Sequence, residues 1–355
     1  MHTYANKLIQ DITNNMVTMR DVGKKAGVSQ STVSRVLNNV STPIQISEEV
    51  RNRVLNAARE LNYRPNPLAR ALRGGTSRLI GVIVRDIEDP FYAPFIASLS
   101  KEVRNHEFNL LLGHASNSQN EAIKLGDILD TRHCDGLLML GDLPEDDLVF
   151  EQLEGLNVPI ISLCRGKSVR GNITINTDNS AGMQMLLSYL VKLGHKRIAF
   201  INGAWGKDIE ERRESYLRLM QEFGLESYSM IIQADQNGFD GGYNAMQLIL
   251  SLRHSITAIA AADDAMAIGA MRAASEMNVS IPDELSVVGF DDLLISRYFI
   301  PSLTTIRQPV EDIVSYAVSR LVKIIEENES NPASEIIRLP PQLIIRDSCA
   351  INRQK

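Results

Sequence analysis

Cysteine is scarce in this sequence: Cys134, Cys164 and Cys349 are the only three in 355 residues, and none forms a C-x-x-C pair. So small and scattered a set excludes a disulfide framework and a thiolate zinc site, and it suits a reducing compartment. All three have apolar neighbours, so buried packing thiols are expected. No run of 18 apolar residues occurs, so no segment reads as a membrane span. Residues 1–15 hold one lysine and no apolar core, which is not a secretory signal, and a cytoplasmic location is expected. Catalytic signatures are missing as well. There is no H-E-x-x-H, G-x-S-x-G, Walker loop or G-x-G-x-x-G, and the six histidines are dispersed. No nucleophile–base pair can be assembled, so the expectation is a protein that is not an enzyme and needs neither cofactor nor metal.

What is present is a soluble composition, 44% hydrophobic and 23% charged, over a length that suits two or three domains. The net charge of −6 conceals an asymmetry. Residues 1–75 hold 11 Lys/Arg against 5 Asp/Glu, whereas residues 76–355 hold 26 against 38. A basic segment on an acidic body fits a nucleic-acid contact, although chance clustering on solvated faces would give the same numbers.

The basic segment also carries a motif. Thr18 to Asp21 reads as a capping box, with Thr18 as N-cap and Asp21 at N3. The helix that follows has Val22 and Ala26 on one side and stops at Gly27. Ser29 starts a second short helix whose apolar side is Val33, Val36 and Leu37. Two short helices joined by a glycine-containing turn form a helix-turn-helix. Ser47 caps a third helix with Glu48 and Glu49 in its first turn and a buried stripe of Val50, Val54, Leu55, Ala58 and Leu61. In such a unit the second helix enters the major groove. Gln30, Ser31, Ser34 and Arg35 point away from its apolar side, and Gln and Arg suit adenine and guanine edges. Ser29, Thr32 and Asn38 are short donors for phosphates.

Prolines 65 and 67 then enforce an extended exit, and a short helical segment 68–73 ends at Gly74-Gly75. Beyond residue 76 the pattern alternates. Strands are expected at 79–84, 109–112, 136–140, 159–163, 197–201, 230–233, 258–261 and 286–289, with helices such as 91–106, 181–193, 210–223, 241–252 and 265–277 between them. This alternation predicts parallel sheets, in more than one sheet's worth, hence two similar subdomains facing a cleft.

The stretch from Met19 to Asn38, MRDVGKKAGVSQSTVSRVLN, resembles the lactose/galactose repressor family of bacterial regulators along its whole length, and ELNYRPNPLARAL from Glu60 to Leu72 is similar to that family's hinge. The resemblance runs over roughly residues 18–350. It implies an all-α helix-turn-helix headpiece in front of an α/β, two-subdomain, periplasmic-binding-protein-like domain. The expected boundaries are an extension at 1–17, the headpiece at 18–63, a hinge at 64–76 and an effector-binding and dimerisation domain at 77–350. It implies base contacts from Gln30, Ser31 and Arg35. It also implies a hinge helix in the minor groove, carrying Asn66, Ala69 and Leu72, with Leu72 wedged into the central base step. The loop at 40–46 is about three residues longer than in the family pattern, and Met16 and Met19 are alternative starts.

Ligands bind in open α/β sheets at the carboxyl ends of strands. Three segments there carry suitable groups: 205–216 with Trp205 and Arg212, Asp263-Asp264, and 289–292 with Asp291. The resemblance implies Arg212, Asp263 and Asp291 as ligand holders. Each has a plainer reading. Arg212 would be solvated on a charged helix, Asp263 or Asp264 would cap the next helix, Asp291 would cap a turn, and Trp205 would pack within its own loop. Asp86, Phe91 and Asp142 occupy the corresponding loops of the other subdomain. The segment Gly194-His195 reads as a helix stop whose basic residues satisfy the last carbonyls. The expectation is therefore a homodimeric regulator, of repressor type, on double-stranded DNA with a pseudo-palindromic operator, modulated by a small carbohydrate. A nucleoside or purine effector is the alternative, and a solute-binding protein a further one. The absence of a heptad-patterned tail predicts a dimer rather than a tetramer.

Overall fold

The computed structural model of the chain describes residues 17–37, 46–63, 76–116, 118–131, 134–142, 158–164, 173–252, 255–329 and 333–353. The expected extension up to Met16, nearly all of the 40–46 loop, Asn38, and residues 64–75 of the hinge, with Asn66, Ala69 and Leu72, lie outside these residues. The chain divides into two compact units, Met1–Ser77 and Arg78–Lys355.

The first unit holds α1 (Met19–Ala26), α2 (Gln30–Leu37) and α3 (Glu48–Glu60). Thr18 caps α1 through a complete capping box: its hydroxyl accepts from the Asp21 amide at 3.3 Å, and the Asp21 carboxylate accepts from the Thr18 amide at 2.9 Å. Gly27 ends α1 in the left-handed region at φ 67°, where a side chain would add strain. Ser47 caps α3 by accepting from the Val50 amide. Val22, Ala26, Val33, Val36, Val54, Ala57 and Ala58 form the buried core, with Leu55 and Leu61 packed at its margin and Val50 half-buried. Gly23 permits the tight approach of α1 to the turn: a Cβ there would lie 2.8 Å from the Val28 carbonyl oxygen.

The second unit contains two six-stranded sheets. The first, in order β11-β5-β4-β3-β1-β2, is built from β1 (Leu79–Val84), β2 (Asn109–His114), β3 (Gly136–Leu140), β4 (Ile160–Leu163), β5 (Ile173–Thr177) and β11 (Glu335–Leu339). All its pairings are parallel. The second, in order β12-β10-β9-β8-β6-β7, uses β6 (Ile198–Asn202), β7 (Met230–Gln233), β8 (Ala258–Ala261), β9 (Ser286–Asp291), β10 (Thr304–Arg307) and β12 (Gln342–Ile344). Here β12 alone is antiparallel to its neighbour.

Helix α4 (Tyr92–Asn105) packs on the first sheet, and α5 (Gln119–Thr131) lies beside β1 and β2. Helices α6 (Asn179–Lys192), α7 (Lys207–Glu222), α8 (Gly238–Ser251) and α9 (Asp264–Glu276) cover the second sheet. Helix α10 (Val310–Glu327) follows β10 of the second lobe, yet Ile313, Val314, Ala317, Val318 and Leu321 bury against the first. The lobes are therefore interleaved, and the chain crosses between them after Thr177, after Arg307 and after Leu339.

The sequence pattern misses β5, β10, β11, β12, α5 and α10. The helix stop at Gly194-His195 forms through the backbone, the His195 amide donating to the Leu190 carbonyl at 3.1 Å. The His195 ring is engaged elsewhere: its Nδ1 bonds the Thr257 hydroxyl at 3.0 Å and its Nε2 the Ala350 carbonyl at 3.1 Å, so it pins the C-terminal segment to the second lobe. Burial lowers its pKa, which keeps the ring neutral. Cys134 and Cys164 are buried as expected, whereas Cys349 is only partly so.

Candidate binding cleft and DNA-contact helix

In the first unit, α2 buries Val33 and Val36 and turns its other side outward, leaving Ser29, Gln30 and Ser31 exposed and Thr32, Ser34 and Arg35 half-buried. Ser29 organises the start of this helix. Its hydroxyl accepts from the Thr32 amide at 3.2 Å and pairs with the Ser31 and Thr32 hydroxyls, which fixes the first turn.

In the second unit a cavity of about 400 Å³ is lined by loops at the carboxyl ends of β1, β3, β4, β6, β8 and β9, from both lobes. All seven expected residues, Asp86, Phe91, Asp142, Trp205, Arg212, Asp263 and Asp291, line it. Arg212, on α7, is not solvated, in contrast to its plainer reading: it is 3% exposed. Its Nε donates to Asn179 Oδ1 at 2.9 Å and its Nη1 to the Ala262 carbonyl at 2.8 Å, while Nη1 stands 3.6 Å from Asp291 Oδ1. The guanidinium lies 3.8 Å over the Phe290 ring. Asp263 fulfils the capping role, accepting from the Met266 amide at 2.7 Å, and still lines the cavity. Asp264 turns the other way, into the core, where Leu293, Ser296 and Thr305 all donate to it. Burial raises its pKa to about 6.

Asp291 has φ 121°, a region in which a non-glycine residue is strained. Burial holds its carboxyl well above the ordinary range although Arg212 opposes this, and burial also raises Asp208 and Asp263.

On the first lobe, Phe91 makes edge contacts with Tyr92 and Phe95. Asp86 accepts from the Glu88 amide and lies 3.4 Å from His114 Nε2. Among the contacts that join the lobes, two border this cavity. The Asp142 carboxylate accepts from the Lys207 amide at 2.8 Å, supplying α7 with the side-chain cap that Gly206 lacks. Arg85, ion-paired with Asp89, lies 4.7 Å over the Trp205 ring and 4.9 Å over that of Tyr92. Trp205 is thus both a cavity wall and a packed residue. Sequence reasoning missed Arg85, Tyr92, Asp208 and Asn237 in the lining. Cys164 lines it too, with burial raising its pKa away from a reactive thiolate.

Residues 18–66 match the family described as "Bacterial regulatory proteins, lacI family", and residues 187–349 match "Periplasmic binding protein-like domain". The HTH-type transcriptional repressor PurR of Serratia proteamaculans (strain 568) is 33% identical over 340 residues, covering 94% of this chain and 97% of the relative. The HTH-type transcriptional repressor CytR of Escherichia coli (strain K12) is 33% identical over 334 residues, 93% of this chain and 96% of that one. Among solved structures, the Lac repressor dimer bound to operator and the anti-inducer ONPF superposes with a TM-score of 0.83 at 27% identity, over 94% of this chain and 99% of that one. A LacI family transcriptional regulator from Enterococcus faecium with bound ribose gives a TM-score of 0.69 at 26% identity, over 78% and 100%.

Proposed function

The chain belongs to the lacI family of bacterial regulatory proteins, a DNA-binding transcriptional regulator of repressor type with a ligand-binding domain, and on that premise we propose how its two units work. The headpiece, 18–63, sets α2 in the major groove of a pseudo-palindromic operator, with Gln30, Ser31 and Arg35 at base edges and Ser29, Thr32, Ser34 and Asn38 toward the backbone. A hinge at 64–76 brings Asn66, Ala69 and Leu72 to the minor groove, where Leu72 opens a base step. Residues 77–350 bind the effector and pair the protomers. Leu294 and Tyr298, each 71% exposed, and Ile300, at 91%, are exposed apolar side chains within one seven-residue segment and suit burial in a homodimer. No helix among the described residues is long and apolar enough to cross a membrane, and we place the regulator in the cytoplasm, acting by binding rather than by catalysis.

The effector is a small carbohydrate. The observation that carries this is the cleft floor: the buried Arg212 beside Asp291, Asp263 and Asp208 offers bidentate donors and acceptors for vicinal hydroxyls, and Trp205 and Phe91 offer faces for a ring. The bound ribose of the Enterococcus faecium structure supports the same chemistry. A nucleoside, a sugar bearing an aromatic base, is the second reading, favoured by the additional Phe239 in the lining. A thermal-shift screen of sugars and nucleosides tests both: a hydroxyl-rich ligand should stabilise the protein, and Arg212→Ala should abolish the shift. Stabilisation by no sugar and no nucleoside would remove this assignment.

A further inference from the structure

Resting on the reading of this cleft as the effector site, we infer that Gln308 is a positioning residue that ties the ligand-holding carboxylate of Asp291 to the interlobe crossovers and so sets how far the cleft opens. Gln308 lies in the second crossover, between β10 and α10, and is 3% exposed. Its Nε2 donates to Asp291 Oδ1 at 2.6 Å, the same oxygen that faces Arg212. Its Oε1 accepts from the Thr177 hydroxyl at 2.5 Å, in the first crossover. One amide thus joins the cleft floor to two of the three strands that pass between the lobes.

Arg212 is wired to the crossovers by a separate path. Asn179, just past the first crossover, accepts from Arg212 Nε and donates to Glu211 at 3.0 Å. Glu211 in turn pairs at 2.9 Å with Arg338 of β11, the strand that leads into the third crossover. A ligand that takes hydrogen bonds from Arg212 and gives them to Asp291 therefore pulls on all three crossovers. Burial makes these bonds consequential, since a buried amide or carboxylate left without its partner is costly. Glutamine is suited to the second crossover because one planar group donates at one end and accepts at the other.

The single tryptophan provides the test, because Trp205 lines the cleft and stacks across it on Arg85. Acrylamide quenching of its fluorescence reports how open the cleft is, with no ligand needed. Gln308→Met removes both bonds. Thr177→Val removes only the bond to the crossover and leaves Gln308 against Asp291. Each should raise the quenching constant of the full-length protein at least about two-fold, and the double variant should add little to the larger single effect, since the two residues act in one chain of contacts. Ser296→Ala, which removes a buried bond to Asp264 away from the crossovers, should lower the melting temperature and leave quenching unchanged. Should Gln308→Met fail to fold, Thr177→Val decides alone. Wild-type quenching in the folded variants, or equal loosening in Ser296→Ala, would overturn the assignment. D-ribose and adenosine serve as probes in parallel. If neither alters quenching or melting in the wild type, the effector reading loses its support, whereas the ligand-free comparison still decides the role of Gln308.

Discussion

Buried charge governs the cleft at the scale of single residues. Arg212 is the guanidinium on which Asp208, Asp263 and Asp291 all act, and burial raises the pKa of each of these acids. Arg212→Ala should therefore do two things: remove the effector response, and destabilise the second unit by roughly 3–5 kcal/mol, the cost of leaving a buried charge uncompensated. Melting curves and ligand-induced shifts measure both, and Arg212→Lys should not restore the response, because an ammonium lacks the planar fork.

Asp264 gives a pH signature. Its pKa rises from an ordinary 3.8 to about 6 in the fold, so between these values the folded state holds a proton that the unfolded chain has lost. Its contribution favours folding below about pH 4 and is lost as pH rises through 6, by about 3 kcal/mol in all. The melting-temperature difference between wild type and Asp264→Asn should shift against the wild type over that window and be flat above it. A flat difference throughout would show that Asp264 holds no such proton.

The cleft residues legible in the sequence were those that follow a recognisable strand: Asp142 after β3, Asp263 after β8, Asp291 at the end of β9. Gln308 and Asn179 carry no such signal. Their importance arises only where crossovers distant in sequence meet, which no local pattern encodes.

The secondary elements divide in the same way. The headpiece helices could be read almost residue by residue, because caps and a left-handed glycine are short-range chemistry. Gly23 is the weak point of that unit. Gly23→Ala drives a Cβ to within 2.8 Å of the Val28 carbonyl oxygen, a rigid neighbour, so the helix-turn-helix must distort. Operator affinity should fall at least about ten-fold, equivalent to roughly 1.4 kcal/mol, while ligand-induced stabilisation of the other unit is unchanged. The strands that escaped the sequence pattern are short or polar. β12 has three residues, β10 reads Thr-Thr-Ile-Arg, and β5 buries Thr174 and Asn176 between neighbours on both sides. Period and apolar content identify a strand only when one face is wet or the run is long. α10 belongs to the lobe opposite the strand before it, a consequence of topology that appears only in three dimensions.

For the whole molecule, an acidic ligand-binding unit follows a basic headpiece, and both lie on one chain. Neutralisation of phosphates by the headpiece makes DNA affinity fall steeply with salt, whereas effector binding in a buried cleft should be nearly salt-independent. Coupling between a DNA site and a ligand site is reciprocal and typically amounts to about 1–3 kcal/mol. Arg35→Ala should abolish specific DNA binding and leave the effector shift intact, which separates readout from sensing.

Both halves of the regulator are tested together by titrating the full-length dimer against a pseudo-palindromic duplex selected from a randomised pool, with and without a cleft ligand from the thermal-shift screen. The expected result is a specific, salt-dependent complex whose affinity changes by roughly 5–150-fold when the cleft is filled. Selection of no duplex, or an affinity indifferent to a ligand that stabilises the second unit, would contradict a ligand-controlled DNA-binding role.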